Sequence, residues 1–456
     1  MGISGQIFRQ YDIRGIVGDD LTTRVAHGVG RAFAAYMARH GVKGAVAVGR
    51  DNRPSGKALR DAMVRALTES GVDVVDVGVV PTPLLYWSLH NLPVAAGIQI
   101  TGSHNPPEYN GFKMSVGKAA LYGDRIQELY SLIEEGSFPA GSGEVHEVQI
   151  IDRYVDDIAK RIGPLSRKLK VVCDCGNGVG ALVAPKLLER LGVEWTGLYC
   201  VSDGTFPNHH PDPTVPENLV DIIAKVGETG ADVGVAFDGD ADRIGVIDEN
   251  GNIIWGDRLL IIYARDVLKR TGGGGQPIIF DVKSSQSLPD AIAKAGGKPL
   301  MWKTGHSLIK EKMRELGAPV AGEMSGHMFF TEGFYGHDDA LYGAARLLRI
   351  IADSGKNVSE LLADVPDFVS TPEIRVDVPE EIKFQLVDEA AKHFRATHDV
   401  IDVDGVRVLF GDGWGLIRAS NTQPVLVLRF EARSEERLRA IRDEMEGWLR
   451  SRNVSV

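Results

Sequence analysis

Residues 45–106 read AVAVGRDNRPSGKALRDAMVRALTESGVDVVDVGVVPTPLLYWSLHNLPVAAGIQITGSHNP. AVAVGRD, Ala45 to Asp51, is an apolar run of strand length that ends on charge. Ser55 to Ser70 follows a helical pattern, with Ser55 at the N-cap and Gly71 as a stop. VDVVDVG, residues 72–78, is a second strand, and prolines open a short helix from Pro81 to Asn91. AAGIQI, residues 95–100, is a third strand that runs into TGSHNP. Strand, helix, strand, helix, strand is the order of a parallel sheet with helices on both faces.

Outward from this stretch, the same order recurs twice. KLKVVCD (168–174), a helix over 180–191, VEWTGLYC (193–200), the helix PENLVDIIAKVG (216–227) and ADVGVAF (231–237) lead into DGDADR. PIIFDVK (277–283), a helix over 288–295, KPLMWK (298–303), a helix over 307–316 and APVAG (318–322) lead into GEMSGH. Ligands of open α/β sheets bind beyond the carboxyl ends of the strands. Three polar loops at such ends therefore predict one active site between domains. From residue 367 the pattern changes. TPEIRVDVP, HDVIDVDGVRVLF, GWGLIRAS and PVLVLRFEA read as strands of an antiparallel sheet, and Glu435 to Arg450 as an amphipathic helix. The expected chain is α/β: three related α/β/α domains with mixed, largely parallel sheets, plus a smaller C-terminal α+β domain, around a central cleft. The expected limits are 1–150, 151–252, 253–366 and 367–456.

A chain of 456 residues is too long for one core. It carries 51 Lys+Arg against 62 Asp+Glu, a formal charge of −11, with no basic run. That balance argues against nucleic-acid and anionic-membrane partners, so an anionic substrate must be held by local Arg, Lys and backbone N–H groups. No apolar run reaches the ~18–20 residues of a membrane span, and the N-terminus lacks the basic and apolar regions of a signal peptide. Cys173, Cys175 and Cys200 are an odd set, which argues against a disulfide framework and for a reducing compartment, the cytoplasm. Cys173 and Cys175 alternate in the strand-like KVVCDC. Structural zinc takes four ligands, so these two read as strand residues with no further Cys or His cluster beside them.

Four loops carry chemistry. TGSHNP (101–106) sets Ser103, His104 and Asn105 behind a glycine that permits a tight turn, and an ordinary Ser/Asn/Pro turn fits it as well. In DGDADR (238–243), Asp238, Asp240 and Asp242 alternate, which lets three hard oxygen ligands face one Mg²⁺ with Arg243 beside it. The competing reading is a solvated acidic turn. RASNTQP (418–424) gathers Arg418, Ser420, Asn421 and Thr422, a set of phosphate donors or a plain strand connection. GEMSGH (322–327) offers Glu323, Ser325 and His327 to sugar hydroxyls, although His327 also reads as a packed histidine. TGHS (304–307) and Lys283 lie at the ends of the first two strands of the same unit.

With FRQYDIRG (8–15), these motifs resemble, in order and over essentially the whole chain, the α-D-phosphohexomutase superfamily. The closest likeness is to the bacterial bifunctional phosphomannomutase/phosphoglucomutases. The resemblance implies Mg²⁺ held by Asp238, Asp240, Asp242 and an oxygen of phosphorylated Ser103. It implies Lys113 as an acid/base group, and Arg14, Arg243 and His104 as stabilisers of charge. Glu323, Ser325 and His327 would contact the sugar; Arg418, Ser420, Asn421 and Thr422 would grip the non-reacting phosphate; Tyr11, Lys283 and His306 would be further cleft contacts. It implies a hexose 1,6-bisphosphate intermediate, hexose phosphates as the small-molecule partners, and a monomer. A Mg²⁺ phosphatase, a sugar-phosphate sensor and a glucosamine-phosphate mutase are the alternatives.

Overall fold

The computed structural model describes residues 3–421 and 423–456. Four sheets form among them. The first runs Ile13–Ile16, Tyr109–Val116, Val94–Ile100, Ala45–Arg50, Val74–Val79, Val145–Glu147, with Ala119–Ala120 attached to the second of these. Its three expected strands are parallel to one another. Helix Gly56–Glu69 follows the first as read, but Ser55 makes no side-chain cap. Its hydroxyl instead accepts from Asn110 Nδ2 at 2.9 Å.

The second sheet is Ile253–Ile254, Ile244–Ile247, Val233–Phe237, Lys170–Asp174, Glu194–Leu198. The third is Lys298–Trp302, Pro277–Asp281, Val320–Gly322, Met328–Phe330. In each of the three units, the strand that empties into a polar loop is followed by an antiparallel strand, Tyr109–Val116, Ile244–Ile247 or Met328–Phe330. The polar loop is therefore the bend of a hairpin, fixed at both ends by a ladder. The C-terminal sheet is wholly antiparallel, and helices Lys383–Phe394 and Glu435–Ser451 pack on it. The repeat reading left the helices Thr23–Arg39, Gly256–Arg270, Ala340–Ser354 and Lys383–Phe394 unassigned.

Helix Thr82–Asn91 is largely apolar, and residues 82–89 are all buried. Such a helix needs partners around its whole circumference. It finds them in helix Ile151–Ile162 and in the largest core cluster, which runs through the second and third units. The first unit is thereby wedged against the second.

Arginines dock the last sheet onto the third unit. Arg407 donates to Val282 O and Ser284 O at 2.8 and 2.7 Å and stacks 3.7 Å over Trp414. Arg429 donates to Lys283 O at 2.7 Å. Carbonyls that close one strand of the third unit thus become the seat of the C-terminal sheet. Arg407→Met should strand two buried acceptors and cost about 3 kcal/mol. A chemical-denaturation midpoint equal to that of the parent chain would exclude this docking role.

Candidate active site

Ser103 sits at φ 51°, a left-handed conformation unusual for a residue with a side chain. The turn is held by the chain itself. Asp51 Oδ2 accepts from Thr101 Oγ1 at 2.7 Å, and Thr101 Oγ1 accepts from Ser103 N at 2.8 Å. Arg53 is buried and donates to the carbonyls of Ser103, Asn105, Pro106 and Tyr109 at 2.5–3.0 Å. A guanidinium fork suits four acceptors where a lysine would not. Any side chain at Gly102 would strike this guanidinium, at 2.5 Å from Cζ. Arg53 was missed in the sequence, although it follows the first strand's carboxyl end, where ligand-side residues collect.

The loop DGDADR closes over this turn. A Cβ on Gly239 would meet Ser103 O at 2.4 Å, so glycine is what lets the two loops touch. Ser103 Oγ lies 3.2 Å from both Asp238 Oδ2 and His104 Nδ1. Asp238, Asp240 and Asp242 are fully buried and can bring one oxygen each within 4.8 Å of the others. Asp238 Oδ1 accepts from the backbone N–H groups of Asp242 and Arg243 at 3.1 Å. Thr82 Oγ1 and Lys113 Nζ both donate to Asp240 Oδ2, at 2.5 and 2.9 Å. Lys113 Nζ also bonds Asp242 Oδ2. Asp240 Oδ1 is buried without a hydrogen bond.

Burial and its two carboxylate neighbours push Asp238 well above the usual carboxylate range. Burial also opposes charge on Asp242, but Lys113 and His327 outweigh it and hold Asp242 well below that range. Burial disfavours the Lys113 ammonium, yet Asp240 and Asp242 more than offset it and raise its pKa well above the ordinary value. Lys113, Arg243 and His327 supply the positive charge set against the three carboxylates. Three buried carboxylates converging from one loop, with Asp240 Oδ1 left without a partner, fit a hard divalent cation. Such an ion would reverse the pressure on Asp238.

The GEMSGH residues join the same cluster. Arg243 pairs with His327 in an antiparallel bridge, and Ile244 N donates to Gly326 O at 3.1 Å. Arg243 Nε lies 3.4 Å from His327 Nε2, whose other neighbour is Asp242 Oδ1 at 3.2 Å. His327 Nδ1 is 2.9 Å from Glu323 Oε2 and 3.1 Å from Ser325 Oγ. Burial opposes charge on both partners. Asp242 and Glu323 nevertheless raise His327 to about 9, and His327 holds Glu323 at about 2. His104 is partly reached by water yet ringed by protein, and burial with Arg243 and Arg14 keeps it well below its ordinary pKa.

Tyr11 bridges loops of the third and C-terminal units. Its OH donates to Thr304 O at 2.8 Å and accepts from Asn421 Nδ2 at 2.8 Å. Thr304 N and Arg418 Nε share Asp404 Oδ2, at 2.9 and 2.7 Å. The His306 ring lies 6.5 Å from Tyr11 and 5.7 Å from His327, with Nδ1 3.3 Å from Asp338 Oδ2. Arg14 reaches Asn105 Oδ1 at 2.6 Å and Asp12 at 2.5 Å.

Two predicted residues stand differently from the rest. Lys283 is paired with Glu373 at 3.2 Å. Ser420 Oγ accepts from Gln423 N at 3.2 Å, and Ser420 O accepts from Lys383 Nζ at 2.6 Å, so this serine shapes its own turn. Thr422 lies outside the described residues. Arg53, Thr82, Asp338 and Asp404 are the positioning residues that sequence reading did not find. The cysteine reading needs correction: the loop after strand Glu194–Leu198 brings Cys200 onto Cys173 and Cys175.

Comparison with known proteins assigns all four sheets to one family. Models described as phosphoglucomutase/phosphomannomutase α/β/α domains I, II and III match residues 5–140, 152–251 and 255–368, and the model of the C-terminal domain matches 373–447. A phosphomannomutase/phosphoglucomutase of Pseudomonas aeruginosa is 48% identical over 455 residues, covering 100% of this chain and 97% of its own. A phosphoglucomutase of Neisseria gonorrhoeae is 48% identical over 454 residues, covering 98% of each. A crystal structure of a phosphoglucomutase/phosphomannomutase family protein from Burkholderia thailandensis superposes with a TM-score of 0.92 at 47% identity, covering 98% of each chain.

Arg53→Met should free the serine loop. Amide exchange at residues 103–109 is expected to quicken about tenfold or more, and unchanged protection would remove Arg53 from this role. The His327 charge adds stability that is whole below pH 6.5 and is lost as pH rises through about 9. The Glu323 charge adds stability that is present above pH 4.5 and is lost as pH falls through about 2. In chelator-treated protein, His327→Gln should therefore flatten the decline of melting temperature between pH 6.5 and 9. Parallel curves for parent and variant would refute the charged pair.

Proposed function

The chain belongs to the phosphoglucomutase/phosphomannomutase family, and on that footing we propose how its residues interconvert hexose 1-phosphate and hexose 6-phosphate. It is a hexose-phosphate mutase, an isomerase, acting on mannose and glucose phosphates through phosphorylated Ser103. The observation that carries the role of Ser103 is its hydroxyl, fixed on a left-handed turn 3.2 Å from a buried Asp238 oxygen. Phosphoryl transfer depends on positioning and charge neutralisation more than on covalent assistance.

The family is metal-dependent, and we assign the ion as Mg²⁺, held by Asp238, Asp240, Asp242 and the Ser103 oxygen. When bound, it supplies positive charge against the transferring phosphoryl group. Ser103 Oγ gives its phosphoryl group to the free C1 or C6 hydroxyl of a bound hexose monophosphate. The hexose 1,6-bisphosphate turns end over end, and Ser103 Oγ takes back the other phosphate. Lys113, held protonated by Asp240 and Asp242, gives a proton to the oxygen left behind and regains the one that the attacking hydroxyl releases, so the proton count closes. Arg14, His104 and Arg243 orient the transferring group. Glu323, Ser325 and His327, with His306, receive the sugar hydroxyls. Arg418, Asn421 and Thr422, with Ser420 shaping the turn, hold the phosphate that is not reacting, and Tyr11 and Lys283 complete the cleft. Tyr11 joins the first and last units across the cleft, which suits exclusion of water during reorientation.

The domain limits at 150, 252 and 366, a monomeric state and a cytoplasmic location belong to the same proposal. Among the described residues no helix is long and apolar enough to cross a membrane.

The test follows 6-phosphate and inorganic phosphate together. Mannose 1-phosphate and glucose 1-phosphate are supplied with Mg²⁺ and a trace of hexose 1,6-bisphosphate. Both sugars should isomerise without phosphate release, and Ser103→Ala should lose about three orders of magnitude in rate or more. Near-normal turnover by that variant would sink the phosphoserine route. Phosphate released in step with turnover would make the protein a hydrolase.

A further inference from the structure

Cys173 lies in the strand Lys170–Asp174 and Cys175 directly follows it; both are fully buried, while Cys200, in the loop after Glu194–Leu198, is partly exposed beside the solvent-facing Val201. The three sulfurs lie within 4.8 Å of one another, with Cys200 Sγ 3.2 Å from Cys175 Sγ and Cys175 Sγ 3.8 Å from Cys173 Sγ. None is in a disulfide. In chains of reducing compartments such thiols are metal-binding, catalytic or redox-sensing. A closed zinc site takes four ligands, and among the described residues three gather here. Redox sensing asks for one accessible thiol with a second poised to resolve it.

We propose that Cys200 and Cys175 form a peroxide-responsive modification site, in which oxidation ties them into a disulfide behind the DGDADR loop. The oxidant is hydrogen peroxide. The Cys200 thiolate attacks one peroxide oxygen; the O–O bond breaks, hydroxide leaves, and Cys200 becomes a sulfenic acid. Cys175 sulfur then attacks the Cys200 sulfur. An S–S bond forms, the S–O bond breaks, and water leaves with the Cys175 proton. In sum, two thiols lose two electrons and two protons, and one peroxide becomes two waters.

Geometry selects this pair. Cys200 is the member that solvent reaches, and its sulfur is in hydrogen-bond contact with that of Cys175 at 3.2 Å. As a thiol, Cys200 donates to Leu198 O at 3.4 Å; as a thiolate, it can accept from the thiols of Cys173 and Cys175, which draw its pKa below the ordinary range. Cys173 and Cys175 stand two residues apart on one extended segment, where Cα atoms are about 6.6 Å apart, near the upper limit for a disulfide.

The bond would be felt at the metal loop. Cys175 O accepts from Gly178 N at 2.7 Å, and the next residue, Val179, donates to Gly239 O at 3.0 Å. Gly178 packs so closely there that an added Cβ would lie 2.9 Å from Gly239 O. Drawing the Cys175 sulfur from 3.2 Å to the ~2.05 Å of a disulfide moves the turn that supports Gly239. Gly239 is flanked by Asp238 and Asp240, so displacement there degrades the alignment that transfer requires.

The full chain is treated with hydrogen peroxide, alkylated after denaturation, and mapped by peptide mass spectrometry. The expected product holds one Cys175–Cys200 disulfide and one alkylated Cys173. Mutase rate at fixed Mg²⁺ should fall about tenfold and recover with dithiothreitol. Cys200→Ser should form no disulfide and keep its rate after peroxide. A wild-type map with no disulfide, with a different pair, or with Cys200 carried to sulfinic acid overturns the proposal. A Cys175–Cys200 disulfide that leaves the rate unchanged overturns its coupling to the metal loop. The map needs no turnover, so it stands or falls apart from the assignment of the hexose-phosphate reaction.

Discussion

Three carboxylates buried within one short loop repel each other, and much of the molecule is arranged to contain that repulsion. The countercharges come from separate elements. Lys113 arrives on strand Tyr109–Val116, Arg243 from the loop itself, and His327 from the third unit. Thr82 arrives at the start of a helix wedged between units. Each contact holds one face of the acidic cluster, and together they leave Asp240 Oδ1 unpaired. The site is therefore a product of domain packing as much as of the loop. A chain that folded each unit correctly but docked them loosely would have no such site.

The same logic explains the serine loop. A left-handed Ser103 and a glycine pressed against its carbonyl are costly local choices. They persist because Arg53 collects four carbonyls of the loop and Asp51 fixes its first hydroxyl. Strain of this kind survives only where the surroundings over-determine it, and here the surroundings are a buried ion pair from the neighbouring strand end.

Much of this was legible in the sequence because periodicity and loop composition are local properties. The strands before TGSHNP, DGDADR and GEMSGH alternate with helices, and their loops hold the residues that meet in the cleft. What escaped was of two kinds. The hairpin strand Tyr109–Val116 opens on a polar, glycine-containing stretch that reads as loop, and only its pairing with Val94–Ile100 and Ile13–Ile16 makes it a strand. Arg53, Thr82, Asp338 and Asp404 act through partners far along the chain, such as Asp240, 158 residues from Thr82. No motif marks a residue whose role is to hold another. The meeting of Cys200 with Cys175, 25 residues apart, was hidden for the same reason.

The hydrogen bond between Tyr11 and Asn421 spans 410 residues. It has a consequence for how the protein is made. On the ribosome, units emerge and fold from the N-terminus onward. The residues of the serine loop and the acidic loop have all emerged once residue 243 is out, and His327 of the third unit also precedes Asn421. For the rest of its synthesis the nascent chain carries its reactive half without the element that closes it. The last part of the message to be translated is the part that shuts the cleft, so a truncated product is not a slower version of the whole protein but an open one.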